Sequence, residues 1–297
     1  MIWASITDNR MKNRQPLSGW ISNRLVRKTG LVILTATLGL LFLSPPAMAA
    51  DTGRKTLRVL CYNIHYGQGM DGKYDVARLA AVISEAKPDL VALQEVDVGV
   101  KRSGRVHQLQ RLGELTGMAV RFGPTQHYEG GLFGNAVMTR LPILNVVIHP
   151  LPYTEATMQK VTYPRGAITV IVRGLDQKPL RFISTHFQHN IEEDRVAEAD
   201  AINSLFTNDT DKIPTILAGD MNSLPDSEPM KILLRRWTNA IDESATPTAP
   251  SRNPRSRIDY ILYRPSSRFR LQKAVVIEEA MASDHRPVLA VLELPSQ

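Results

Sequence analysis

Short apolar runs that break off at a single polar residue recur along this chain, and the residues at the breaks are of few types. Leu57-Arg58-Val59-Leu60-Cys61-Tyr62 stops at Asn63, Asp89 to Gln94 stops at Glu95, and Leu180 to Thr185 stops at His186. Thr215-Ile216-Leu217-Ala218 reaches Asp220 and Asn222 through Gly219, which is expected to permit a sharp turn that gathers both into one site. Runs of this length bounded by glycine, proline and polar clusters predict strands. Ligand-binding groups are expected outside the carboxyl ends of such strands. Further strands are predicted over 167–172 after Arg165-Gly166, 257–262, 275–277 and 288–292. Two apolar segments, 135–139 and 143–149, around Arg140-Leu141-Pro142 predict a hairpin, with Asn135 delivered by the glycine-rich stretch Gly130 to Gly134.

Between these runs the spacing changes to that of helices. Asp75 opens a helix whose apolar side is Val76, Leu79, Ala80, Val82 and Ile83, ended by Lys87-Pro88. His107 to Thr116 has helical spacing and stops at Gly117; Glu192 to Phe206 begins with an acidic turn that suits the helix dipole. Residues 225–237 form a short helical connection, and the Pro/Ser/Arg-rich tract 246–256 is a loop, either a mobile wall of the site or a solvated excursion. Arg105, His107 and Gln108 stand where a basic loop meets a helix, which a capped surface helix explains as well as a substrate contact does. Strand, helix and strand from 57 to 94 imply a crossover unit with a sheet core.

Of 297 residues, 43% are hydrophobic and 22% charged, a globular composition long enough for one large core. The net charge of +7 invites a nucleic-acid partner until it is located. Residues 1–50 hold six Lys/Arg and one acidic residue, Asp8, a net of +5 that leaves +2 for residues 51–297. The nearly neutral body disfavours long-range attraction to a polyanion. The basic start, the apolar run Leu31 to Leu43 and the small residues Ala47-Met48-Ala49-Ala50 follow the order of a secretory signal, cleaved after Ala49 or Ala50. Residues 1–50 are therefore read as a signal peptide, with an N-terminal, inner-membrane anchor as the lesser alternative, and residues 51–297 as the catalytic domain of a periplasmic or secreted protein. The lone cysteine, Cys61, excludes an intramolecular disulfide and reads as a core residue.

Asn63, Glu95, Asn135, His186, Asp220, Asn222, Asp259, Asp284 and His285 are the positions at which polar chemistry interrupts an otherwise apolar pattern. Carboxylate oxygens suit a hard divalent ion, Mg²⁺ or Mn²⁺ with Ca²⁺ as a further candidate, and not a structural zinc. A hard ion beside amides and imidazoles suits phosphoryl transfer, in which charge grows on nonbridging oxygens as water attacks. Singly, each position has a structural reading too: Asn63 and Asn135 as turn residues, His186 as a strand-end histidine, Asp259 as a partner of Arg257.

The ordered set Tyr62-Asn63-Ile64, Gln94-Glu95-Val96, Gly134-Asn135-Ala136, Thr185-His186-Phe187, Gly219-Asp220-Met221-Asn222, Arg257-Ile258-Asp259-Tyr260 and Ser283-Asp284-His285-Arg286-Pro287 resembles the endonuclease/exonuclease/phosphatase family, to which deoxyribonuclease-like and sphingomyelinase-like phosphoesterases belong. The resemblance runs from Leu57 to Leu294. It implies a four-layer α/β sandwich, two mixed and largely antiparallel sheets packed face to face with helices outside, and a site at one rim. It also implies Glu95 as principal metal ligand with Asn63 and Asp284 flanking, and His285 as general base or phosphate contact oriented by Asp259. Asp220 would position the attacking water, His186 and Asn222 would bind the scissile phosphate, and Asn135 would support the site from its loop.

The expected activity is a divalent-metal-dependent phosphodiesterase acting by direct attack of water on a phospholipid or small phosphodiester. A nuclease, a phosphomonoesterase and a non-catalytic binding protein are the alternatives, with Arg252, Arg255 and Arg257 giving the nuclease some support. A glycoside hydrolase using Glu95 and Asp220 as its carboxylate pair leaves His285, Asp259 and the amides without a purpose. The partner is a phosphate-ester substrate met by a monomer, with transient membrane contact if that substrate is a lipid. Arg165 and His189 lie near the expected site walls with no assigned role.

Overall fold

The computed structural model describes residues 56–160, 162–208, 210–240 and 245–295, so the proposed signal segment lies outside the described residues. Among the described residues no helix is long and apolar enough to cross a membrane. Twelve strands form two six-stranded sheets. The first sheet holds β1 (Thr56–Asn63), β2 (Leu90–Val98), β3 (Ala119–Tyr128), β4 (Gly131–Thr139), β11 (Arg270–Val276) and β12 (Val288–Glu293), in the order β11-β12-β1-β2-β4-β3. The second holds β5 (Ile143–Pro150), β6 (Gly166–Arg173), β7 (Pro179–His186), β8 (Thr215–Asp220), β9 (Thr238–Asn239) and β10 (Asp259–Arg264), in the order β5-β6-β7-β8-β10-β9.

Alternation along each strand divides the apolar residues into three buried layers. Val59, Cys61, Ala92, Val170, Phe182, Ile216, Ile261 and Ala290 face each other between the sheets. Leu60, Val91, Leu93 and Met138 pack outward under α1 (Val76–Ala86) and α2 (Gln108–Thr116). Ile183, Leu217, Tyr260 and Leu262 do the same under α3 (Glu192–Phe206) and α4 (Glu228–Leu234). Helices outside and two sheets inside make a four-layer α/β sandwich.

Among the described residues only β1–β2 and β7–β8 pair in parallel, and α1 and α3 are the crossovers that parallel pairing demands. Their registers put Asn63 opposite Gln94 and His186 opposite Asp220, while antiparallel β10 puts Asp259 opposite Asp220. The ends of β1, β7 and β8 and the start of β10 therefore meet the middle of β2 at one rim, β2 running past the expected stop at Glu95 to Val98. The sheets are stitched just below it: Gln94 Nε2 donates to Ser184 Oγ (3.1 Å), which donates to Leu93 O (3.0 Å).

Three expectations change. Residues 135–139 and 143–149 are not a hairpin, because β4 and β5 belong to different sheets and 140–142 carries the chain from one to the other. The true partner of β4 is β3, an edge strand whose weak alternation and Pro124 hide it in the sequence, joined through Glu129 (φ 43°) and Gly130 (φ 76°). Asn135 accordingly stands within a strand and not on a loop. Gly219 is inside β8, where a Cβ would lie 2.3 Å from Thr185 O of the parallel neighbour, so close backbone approach is what requires it. The left-handed residue beyond the strand is Asn222 (φ 46°). The 246–256 loop is braced, with Thr248 and Ser251 fully buried and Ser251 N donating to Asp284 O (2.6 Å).

Gly219→Ala is expected to destabilise the fold by about 1–3 kcal/mol, since the added methyl meets backbone that cannot rotate away. Chemical denaturation checks this, and an unchanged unfolding midpoint would contradict the close approach.

Candidate active site

Asp220 is the centre of the rim, only 1% exposed. Its Oδ2 accepts from Asn63 Nδ2 (3.1 Å) and lies 3.4 Å from His186 Nε2 and 3.8 Å from His285 Nε2. Its Oδ1 accepts from Asn222 N (2.9 Å), closing the small turn that follows β8. The other ring nitrogen of His285, Nδ1, faces Asp259 Oδ2 at 2.9 Å, so the imidazole stands between two carboxylates. Asn222 sends one amide proton to Phe187 O (3.0 Å) and the other to His186 Nε2 (3.0 Å). Asn63, Glu95, His186, Asp220, Asn222, Asp259 and His285 thus form one connected polar chain.

Glu95 reaches this chain by a local irregularity. The β2–β4 register shifts between Leu93 and Val96, and Glu95 takes a left-handed backbone (φ 58°) that costs about 1–2 kcal/mol for an L-residue. The bulge aims its carboxylate at the site, where Oε1 accepts from Asn63 Nδ2 (3.2 Å). Asn63 therefore presents one donor to two carboxylates, and its Oδ1 accepts from His65 N (3.0 Å).

Asp284 and Asn135 sit at the margins. The Asp284 carboxylate lies 3.8 Å from His65 Nε2, and the neighbouring Ser283 Oγ ties its loop to Asn63 O (2.7 Å). Asn135 donates to Gly166 O (2.8 Å), fixing the start of β6. His107 caps α2, its Nδ1 accepting from Gln110 N, and buried Gln108 donates to Tyr66 O, which settles both as structural. The sequence reading missed His65 and Tyr66, whose positive φ values (46° and 42°) have no sequence signal. It also missed Thr248, whose Oγ1 accepts from Ile258 N and Asp259 N.

Burial and neighbouring charge separate the titrating groups. Burial, followed by repulsion from Asp259, pushes the Asp220 carboxyl up to about 7. Burial alone would pull His285 down, yet Asp259 and Asp220 hold it well above the ordinary histidine range. His186 goes the other way, held well below that range by burial and then by Arg165 and His285. One histidine is charged and one neutral at neutral pH, a division made by environment.

The ligand atoms of Asp220, Asp259 and His285 lie within 4.8 Å of one another and are buried, a cluster suited to a divalent metal ion. Asp259 Oδ1 is buried and has no hydrogen-bond partner, as expected of an oxygen that a cation or an ordered water satisfies. The donor set of carboxylates, amides and imidazole thus fits a hard divalent cation.

Two facing sheets with helices outside and a carboxylate-histidine rim define a class of metal-dependent phosphoesterases. The chain belongs to the Endonuclease/Exonuclease/phosphatase family, whose sequence profile matches residues 60–285. Among solved structures it is similar to the endonuclease/exonuclease/phosphatase of Beutenbergia cavernae (25% identity, TM-score 0.68, covering 82% of this chain and 72% of that one). It is also similar to that of Bacteroides vulgatus (20%, 0.66, 82% and 100%) and to a Bacteroides thetaiotaomicron mannosyl-6-phosphatase (20%, 0.64, 80% and 99%). Family membership and the acidic-histidine cluster together identify a metal-dependent hydrolase of phosphate esters.

Asp259→Asn is expected to lower the His285 pKa, because burial then opposes only the weaker pull of Asp220 and Asp284. NMR titration of the ring in metal-free protein measures this; an unmoved titration would show that Asp259 does not set the charge of His285.

Proposed function

We propose that this chain is an exported divalent-metal-dependent phosphodiesterase that cleaves a phospholipid or small phosphodiester by direct attack of water. The observation that carries the reading is the Asp259–His285–Asp220 chain, because it places a charged imidazole beside a carboxyl poised near neutrality. Asp220 takes the proton of the attacking water, for which a pKa close to the working pH is best. His285, kept protonated and oriented by Asp259, supplies positive charge where the phosphate oxygens gain negative charge. Neutral His186 and Asn222 receive the scissile phosphate. Asn222 does so by exchanging its bond to His186 for one to a phosphate oxygen.

Glu95 is the principal cation ligand in this reading, with Asn63 and Asp284 flanking it; of the Asp220, Asp259 and His285 cluster, protonated His285 is not a ligand. Bound Mg²⁺ or Mn²⁺ would neutralise charge on the nonbridging oxygens and lower the pKa of water. The nuclease alternative loses support because Arg257 is 3% exposed and donates to Thr246 O, which leaves only Arg252 and Arg255 of the loop arginines on the surface. The B. thetaiotaomicron mannosyl-6-phosphatase keeps phosphomonoesters among the substrates to try.

Purified protein is expected to hydrolyse bis(p-nitrophenyl) phosphate or sphingomyelin with Mg²⁺ or Mn²⁺ and to fall silent with chelator. Plasmid DNA, RNA, inositol phosphates and mannose 6-phosphate complete the panel. Turnover that chelator leaves untouched would refute the mechanism. Glu95→Gln should cut kcat/KM by more than about 10²-fold while thermal unfolding shows the fold intact; full activity in that variant would remove Glu95 from the site.

A further inference from the structure

Arg165 is a buried cation with no salt bridge among the described residues, although Glu198, then Glu95 and Asp220, act on it from beyond contact distance. It is 8% exposed, its Nε is buried with no hydrogen-bond partner, and among the described residues its side chain hydrogen-bonds only with His189 Nδ1, at 3.4 Å from Nη2. A guanidinium keeps its charge in any protein, and burying one unpaired is costly. The backbone leaves it little freedom, because Gly166 O accepts from both Asn135 Nδ2 and Thr185 Oγ1.

The guanidinium stands in a wall common to two spaces. On one side it interacts electrostatically with Glu95, Asp220 and His186 of the rim. On the other it lines a cavity of about 320 Å³ with Tyr153, Thr157, Tyr163, Gln188 and Glu198. The two acids of α3 nearest this cavity do not neutralise it. Asp194 is occupied by Thr154 N, Thr154 Oγ1 and Thr157 Oγ1. Glu198 accepts from Gln188 N (2.8 Å) and forms no salt bridge with Arg165, and burial pushes its carboxyl up to about 8. Hydroxyls, an amide and ring faces line the remainder, a mixture suited to a polar ring that carries a charge.

We propose that Arg165 anchors a specificity subsite in this cavity for a second phosphate group, borne by the substrate beyond the ester that is cleaved. This deepens the phosphoesterase reading and rests on it. The guanidinium fork matches two phosphate oxygens, and His189 beside it extends the donor set.

The test compares thymidine 3′-phosphate 5′-(p-nitrophenyl phosphate) with thymidine 5′-(p-nitrophenyl phosphate), which share diester and leaving group and differ by one phosphate. The wild-type protein with Mn²⁺ is expected to favour the first by roughly 10–10²-fold in kcat/KM. In Arg165→Gln that ratio should collapse to about one, and Arg165→Lys should restore part of it as a point charge without the fork. A ratio near one in the wild type, or the same ratio in Arg165→Gln, overturns the subsite. A loss shared equally by both esters keeps the ratio, as misfolding or contact with the scissile phosphate would, and so also overturns it. If wild type cleaves neither these esters nor bis(p-nitrophenyl) phosphate nor sphingomyelin, the phosphodiesterase reading fails, and calorimetry in chelator with thymidine 3′,5′-bisphosphate against thymidine 5′-phosphate still decides the subsite. Tighter binding of the bisphosphate that Arg165→Gln abolishes supports it; equal affinities overturn it.

Discussion

A carboxylate enclosed to 1% exposure between two sheets is the constraint on which the rest of this structure depends. Asp220 cannot hold a charge there without donors or a cation close by. The fold brings it the Asn63 amide from one sheet, the Asn222 backbone from the turn after its own strand, and two imidazoles from neighbouring elements. None of these partners is near it in the chain except Asn222. The site exists because the sheets close face to face, and it is held by the bonds between Gln94, Ser184 and Leu93 directly beneath.

The two parallel strand pairs give this closure its geometry. In each, a helical crossover returns the chain to the same edge, so Asn63 meets Gln94 and His186 meets Asp220 at one level, β2 running on past Glu95 to Val98. Antiparallel β10 enters from the rim and contributes its first residue, Asp259, in place of its last. Finer aiming comes from local distortion. The β2 bulge and the left-handed backbone at Glu95 and Asn222 point side chains at the centre that regular strands would direct elsewhere. Such strain persists where surrounding packing over-determines it.

The same burial that tunes Asp220, His186 and His285 leaves Arg165 without a salt bridge nearby. Asn135 links the two regions, since its bond to Gly166 O fixes the backbone from which the Arg165 side chain departs. Buried polarity of both signs therefore converges on one wall, with carboxylates and imidazoles toward the rim and the guanidinium between the rim and the cavity.

Much of this was legible along the chain. The strands ending at Asn63, His186 and Asp220 were marked by apolar runs with abrupt polar stops, and α1, α2 and α3 by their spacing and ends, because periodicity and capping are local properties; the stop at Glu95 marked a bulge inside β2, which continues to Val98. All nine candidate residues were visible as polar exceptions, and seven of them proved to be one connected chain. What pairs with what was not local. The false hairpin at 140–142, the hidden edge strand β3 and the packing reason for Gly219 all depend on which sheet a segment joins. The charges of His186 and His285 were equally out of reach of sequence. The two are the same residue type at two strand or loop ends, and only burial, with Arg165 near one and two carboxylates around the other, makes one neutral and the other charged.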